Sequence, residues 1–327
     1  MRNIWTVHAQ LALLLGMALA LPSGCSCANE STSRPPGGSD TSAAPAEVSA
    51  AAQTNASETM LISVAKLENQ LDDSMLRILD IRSADEYANG HIPGSVSLDM
   101  RPWMEKSLSP EGLLDAEYWS EQVGKLGISN DHRVVICYDS LTNAARVWWT
   151  LRYLGLKEVA LLEGGWNVWA ARELPTKKKQ TKVEQASFEP RFQADRLAGH
   201  DELKRAVADK GLDWVVVDAR SKDEYTGRDK RGERGGHIPG AVHLEWSELL
   251  DVAGYFKTPE QLSSLFDVKG VDAGQTVVTH CQSGGRASVE AFALELAGFP
   301  RVKNYYEGWQ RWSADQEAPV EEFEEDE

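Results

Sequence analysis

The chain has 327 residues, 42% hydrophobic and 26% charged, the balance of a soluble globular protein with room for two ordinary domains. Its 50 acidic and 34 basic residues give a net charge of −16, which excludes nucleic acid as a partner because phosphate binding needs a basic face. Four cysteines, at 25, 27, 137 and 281, are too few and too scattered for a disulfide framework or a metal site, so neither metal nor cofactor is expected.

Residues 1–24 read as a signal peptide. Arg2 supplies a weak positive start, and Leu11 to Leu21 form an apolar run. That run falls short of the roughly 20 residues a spanning helix needs. Ser23-Gly24-Cys25 resembles a bacterial lipobox, with Pro22 where Leu is usual, so Cys25 is the candidate lipidation site and lipid anchor. Ala18-Leu19-Ala20 offers an ordinary cleavage site instead. Residues 25–58 are rich in Ser, Thr, Pro, Gly and Ala, cannot pack a core, and read as a disordered tether. Both readings imply export to the periplasm, the first as a membrane-anchored lipoprotein.

The remainder is one unit written twice. Leu79-Asp80-Ile81-Arg82-Ser83 with Glu86-Tyr87 recurs as Val217-Asp218-Ala219-Arg220-Ser221 with Glu224-Tyr225. Gly90-His91-Ile92-Pro93-Gly94 recurs as Gly236-His237-Ile238-Pro239-Gly240, and Gly165-Trp166 with Trp169 as Gly308-Trp309 with Trp312. The order is kept, giving domains at 59–175 and 188–319, a Lys-rich linker at 176–187 and a solvated acidic tail at 320–327. Val215-Val216-Val217 and Val277-Val278-Thr279 are β-branched runs of buried parallel strands. Val147, Trp148, Leu151 and Leu154, and likewise Val289, Phe292, Ala293 and Leu296, make single apolar helix stripes ending at Gly155 and Gly298. Alternating strand and helix implies an α/β fold: two domains, each a parallel sheet flanked by helices.

Ligands of open α/β sheets bind beyond the carboxyl ends of the strands, where Cys281 follows Thr276-Val277-Val278-Thr279-His280. Gln282, Ser283, Gly284 and Gly285 form a small, Gly-rich turn into a helix, so backbone N–H groups and the helix N-terminus can hold an anion there. The same donors favour the thiolate of Cys281, which needs no His base. Cys137, inside Val134-Val135-Ile136-Cys137-Tyr138, reads as core packing. Asp218, Arg220 and His237 read as structural support, and His280 as a pocket-lining residue. Trp246 and Trp309 are candidates for the mouth of the site.

The Asp-x-Arg…Glu-Tyr element, the Gly-His-Ile-Pro-Gly turn, the loop from Cys281 to Arg286 and the closing Gly-Trp…Trp together resemble the rhodanese superfamily. The two-domain form is similar to thiosulfate and 3-mercaptopyruvate sulfurtransferases. The resemblance implies a silent first domain, and counting back from Ala145 and Ala287 places Asp139 opposite Cys281. It also implies transfer of sulfane sulfur from thiosulfate to cyanide or a thiol through a Cys281 persulfide. The alternatives are 3-mercaptopyruvate as donor, or a persulfide carrier serving a protein thiol. Arg286 is the loop charge expected near the anionic substrate, joined by Arg228, Arg231 or Arg234 from an insert that the first copy lacks. The Cys-x5-Arg loop of related phosphatases is excluded, since Ala287 stands where Arg is required.

Overall fold

The computed structural model describes residues 60–109, 111–209 and 213–322. The signal peptide, the whole of the 25–58 tether, Cys25 and the last five residues of the acidic tail lie outside the described residues. In the first copy the elements run β1 (Leu61–Ile62), α1 (Val64–Glu68), β2 (Leu76–Asp80), α2 (Ala84–Asn89), β3 (Val96–Ser97), α3 (Met100–Leu108), α4 (Ala116–Lys125), β4 (Arg133–Cys137), α5 (Leu141–Tyr153), β5 (Val159–Leu162) and α6 (Gly165–Ala171). The second copy continues with α7 (His200–Ala208), β6 (Trp214–Asp218), α8 (Lys222–Thr226), β7 (Val242–His243), α9 (Pro259–Val268), β8 (Thr276–His280), α10 (Gly285–Leu296), β9 (Val302–Tyr305) and α11 (Gly308–Ala314).

The strands form two parallel sheets, ordered β1-β5-β4-β2-β3 and β7-β6-β8-β9. The valine runs are their central strands because β-branched side chains pack well on a surface covered from both sides. Register is the same in both copies: Asp80 lies beside Cys137 as Asp218 lies beside His280. A shared scaffold fixes the ends of these strands. Arg82 donates to Asp80 and to the Gly90 carbonyl, and Arg220 to Asp218 and the Gly236 carbonyl. Trp166 and Trp309 stack over the two guanidinium groups. Ser83 with Glu86, and Ser221 with Glu224, form capping boxes that start α2 and α8.

Helices α5 and α10 lie against each other, and one hydrophobic cluster runs through both domains. Trp148 meets Phe292 edge to face at 4.8 Å, and Trp149 stacks on Tyr306 at 4.9 Å. Each helix is therefore buried almost all round, between its own sheet and the neighbouring domain, where the sequence reading expected a single apolar stripe.

Two segments read as inert are docked. His91 exchanges two backbone hydrogen bonds with Lys177, and Ala186 N–H donates to the Gly124 carbonyl, so the 176–187 segment is stitched to the first domain rather than spanning solvent. His237 exchanges the equivalent pair with Glu321, whose carboxylate also accepts from Gly240 N–H. The acidic tail is thus anchored at its start, correcting its assignment as wholly solvated. The physical reason is the same in both copies: the Gly-His-Ile-Pro-Gly turn leaves one backbone edge for a returning strand.

Candidate functional site

The loop between β8 and α10 is built by holding its carbonyls. The Cys281 carbonyl accepts from Trp309 N–H at 2.7 Å, and that of Gln282 from Gln310 N–H at 3.1 Å. The Ser283 carbonyl accepts from Arg146 Nη2 at 2.7 Å, and that of Gly284 from Ser288 N–H at 2.9 Å and Ser288 Oγ at 2.7 Å. Gly308 makes the first contacts possible, since a Cβ there would stand 2.4 Å from the Cys281 carbonyl oxygen. Gly284 sits at φ 83°, a left-handed turn that strains other residues.

Among the described residues, none of the N–H groups from Gln282 to Ala287 donates to a protein acceptor. A trans peptide points its N–H opposite its carbonyl. The four pinned carbonyls therefore leave the N–H groups of Gln282 to Gly285 facing away from those partners, at the start of a twelve-residue helix. The Cys281 side chain is 2% exposed and walled by Ala219, Ala287 and Trp246. Such a cup has the donors and the shielding to hold an anion against a thiol with little water.

The charges around it are largely paired. Arg286 grips Glu224 with both Nη groups, at 2.5 and 2.8 Å. Burial pushes the Glu224 carboxyl up, but Arg286 and Ser221 outweigh it and hold its pKa down at about 2. Below the cysteine, His280 Nε2 lies 3.3 Å from Asp218 Oδ2, both fully buried. Burial lowers His280 to about 4, so the ring is neutral near pH 7 and is not a base poised for Cys281. Burial raises the Glu290 carboxyl well above its usual range, and neither of its oxygens has a hydrogen-bond partner among the described residues.

The three insert arginines separate clearly. Arg234 spends its guanidinium on the carbonyls of Trp312, Ser313, Asp315 and Ala318, capping the end of α11, so it is a structural residue and not a substrate ligand. Arg228 is exposed and pairs with Asp223 at 3.5 Å. Arg231 is the one beside the loop: its carbonyl accepts from Gln282 Nε2 at 3.1 Å, and its Nε lies 3.8 Å from Glu224. Asp218 and Arg220 form the buried pair expected of them, and His237 stacks on Tyr225 with Nδ1 at 3.0 Å from the Tyr225 carbonyl. Trp246 packs against the cysteine, whereas the Trp309 ring is buried against Arg220.

The residue opposite Cys281 is Tyr138, not Asp139. Trp166 N–H donates to the Tyr138 carbonyl at 2.8 Å, just as Trp309 does to Cys281. Three residues separate β4 from α5 and four separate β8 from α10, so counting back from the helix misplaces the match. Cys137 occupies the place of His280, fully buried, and burial pushes its thiol well up. Sequence reasoning also missed Arg146 and Glu290. Their one signal was a charge flanked on both sides by apolar helix residues.

The Rhodanese-like domain family model matches residues 63–172 and again 199–315. The 3-mercaptopyruvate sulfurtransferase of Escherichia coli K12 is 30% identical over 281 residues, 81% of this chain and 99% of that protein. A thiosulfate sulfurtransferase of Azotobacter vinelandii is 31% identical over 269 residues, covering 81% and 98%. A sulfur carrier protein, TtuD, of Thermus thermophilus is 30% identical over 272 residues, covering 77% and 93%. The crystal structure of the E. coli 3-mercaptopyruvate enzyme SseA superposes with a TM-score of 0.67 at 28% identity, over 77% of this chain and 99% of that one. With two family matches on its two sheets, the chain belongs to the rhodanese family as a tandem of rhodanese-like domains.

Proposed function

We propose that the chain is a thiosulfate sulfurtransferase working through a persulfide on Cys281. That it is a sulfurtransferase follows from its similarity, along four fifths of its length, to proteins named for that activity. The thiolate of Cys281 attacks the outer sulfur of thiosulfate. The donor's S–S bond breaks, and sulfite leaves with the bonding pair. Cyanide or a thiol then attacks the terminal sulfur of the persulfide, and the Cys281 thiolate departs. Both steps move negative charge at one sulfur, and the unbonded N–H groups from Gln282 to Ala287 are the observation that carries this reading.

A thiol only 2% exposed suits a compact donor such as thiosulfate, with Arg231 beside the loop as a half-exposed cation that also pairs with Asp229 at 3.1 Å. Arg286 supports the choice less than the sequence implies, because Glu224 takes up its charge. That neutralisation favours 3-mercaptopyruvate as the second reading. Initial rates of sulfite release from thiosulfate and pyruvate release from mercaptopyruvate decide between them: faster thiosulfate turnover is expected, and a preference for mercaptopyruvate would overturn the donor. The leader and Cys25 support export and lipid anchoring of this activity, which Cys25→Ser would release from the membrane fraction.

A further inference from the structure

The first domain lacks a cysteine at its own strand-end loop, yet it reaches the Cys281 loop through one side chain. Arg146 projects from α5 and is 6% exposed. Its Nη2 donates to the Ser283 carbonyl at 2.7 Å and its Nη1 to the Tyr306 hydroxyl at 2.9 Å. A Cβ on Gly285 would stand 2.9 Å from Arg146 Nη2, so that glycine is what admits the guanidinium to the helix start. Arg146 Nε has no hydrogen-bond partner, and among the described residues no carboxylate lies within ion-pair reach of the group. A buried cation without a counter-charge is costly. An anion bound in the adjoining loop would supply one.

We propose that Arg146 is a positioning residue for the reaction of the second domain. By holding the Ser283 carbonyl outward it turns the Gly284 N–H toward the anion side of the loop. Its unpaired charge stabilises the anionic states of that loop. The inference rests on Cys281 being the nucleophile, and it gives the first domain a task beyond packing.

The test uses the full chain with Arg146→Gln, Arg146→Lys and Ser107→Ala. Ser107 accepts the Tyr306 hydroxyl at 2.9 Å, so its replacement weakens the domain contact without touching the loop. Three quantities are read: kcat and KM for thiosulfate, the thermal midpoint, and the rate of Cys281 alkylation by iodoacetamide. Arg146→Gln should lower kcat at least ~10-fold, the scale of one charge-assisted hydrogen bond, with a smaller change in KM. It should also slow alkylation. Arg146→Lys should fall between, keeping the charge but not the two-pronged geometry. Ser107→Ala should lower the thermal midpoint and leave kcat alone. Unchanged kcat and alkylation in Arg146→Gln, or an equal kcat loss in Ser107→Ala, would overturn the proposal. Should the Gln variant fail to fold, Arg146→Lys decides: wild-type kcat and alkylation overturn it. Alkylation reads the loop without any sulfur donor, so it separates failure of this inference from a wrong donor.

Discussion

Arg286 and Arg231 sit within one ion-pair network around Glu224, but the geometry divides their work. The first is locked bidentate to a carboxylate that is 2% exposed, and the second keeps more than half of its side chain in solvent. Glu224→Gln should therefore cost roughly 3 kcal/mol in chemical denaturation, because it leaves Arg286 half-buried without its partner. The folded carboxyl titrates at about 2, well below an unfolded glutamate, so its contribution is present above the unfolded value and fades as pH falls through the acid range. Arg231→Ala should instead leave stability alone and raise KM for thiosulfate about fivefold, the scale of one partly exposed ion pair. An unchanged KM would remove Arg231 from the site. The sequence offered Arg286 and, without choosing among them, Arg228, Arg231 or Arg234, on charge and on the family resemblance. It could not say that Glu224, 62 residues before Arg286, would take up the loop charge.

Helix α10 carries the site on its first turn and an uncompensated carboxyl, Glu290, one turn on. Because burial raises that carboxyl, the folded chain keeps a proton that the unfolded chain loses near pH ~4.3. Its effect on stability is thus smallest below that value, and stability falls as pH rises toward the folded titration. Glu290→Gln should flatten this dependence, with a thermal midpoint above that of the parent at pH 8 and close to it at pH 4. Parallel curves for the two proteins across that range would contradict the assignment. Strand runs, helix ends at Gly155 and Gly298, and the Cys281 turn were legible because each is set by neighbouring residues. The match to Asp139 failed because a one-residue shortening before α5 leaves no mark in a count made from the helix. Arg146 was illegible for a different reason: its partner carbonyl lies 137 residues away.

At the scale of the molecule, the two copies are one folding unit. A single hydrophobic cluster runs from Leu79 to Tyr306 through the α5–α10 contact, and the 176–187 segment is bonded along the first domain. Calorimetry should give one cooperative transition, and two resolved transitions would show the halves to be independent. The duplication was plain in the sequence; the shared core was not, since apolar helix faces do not say which surface covers them. What the duplication leaves is one strand end with a cysteine in a donor-lined cup and one with Tyr138. The second described thiol, Cys137, is fully buried, and burial pushes its pKa well up. The most direct test is mass spectrometry of the intact protein and its peptides after treatment with thiosulfate. A gain of one sulfur atom is expected on the peptide carrying Cys281, reversed by cyanide and absent in Cys281→Ser. Sulfur found on Cys137, or turnover surviving in Cys281→Ser, would contradict it.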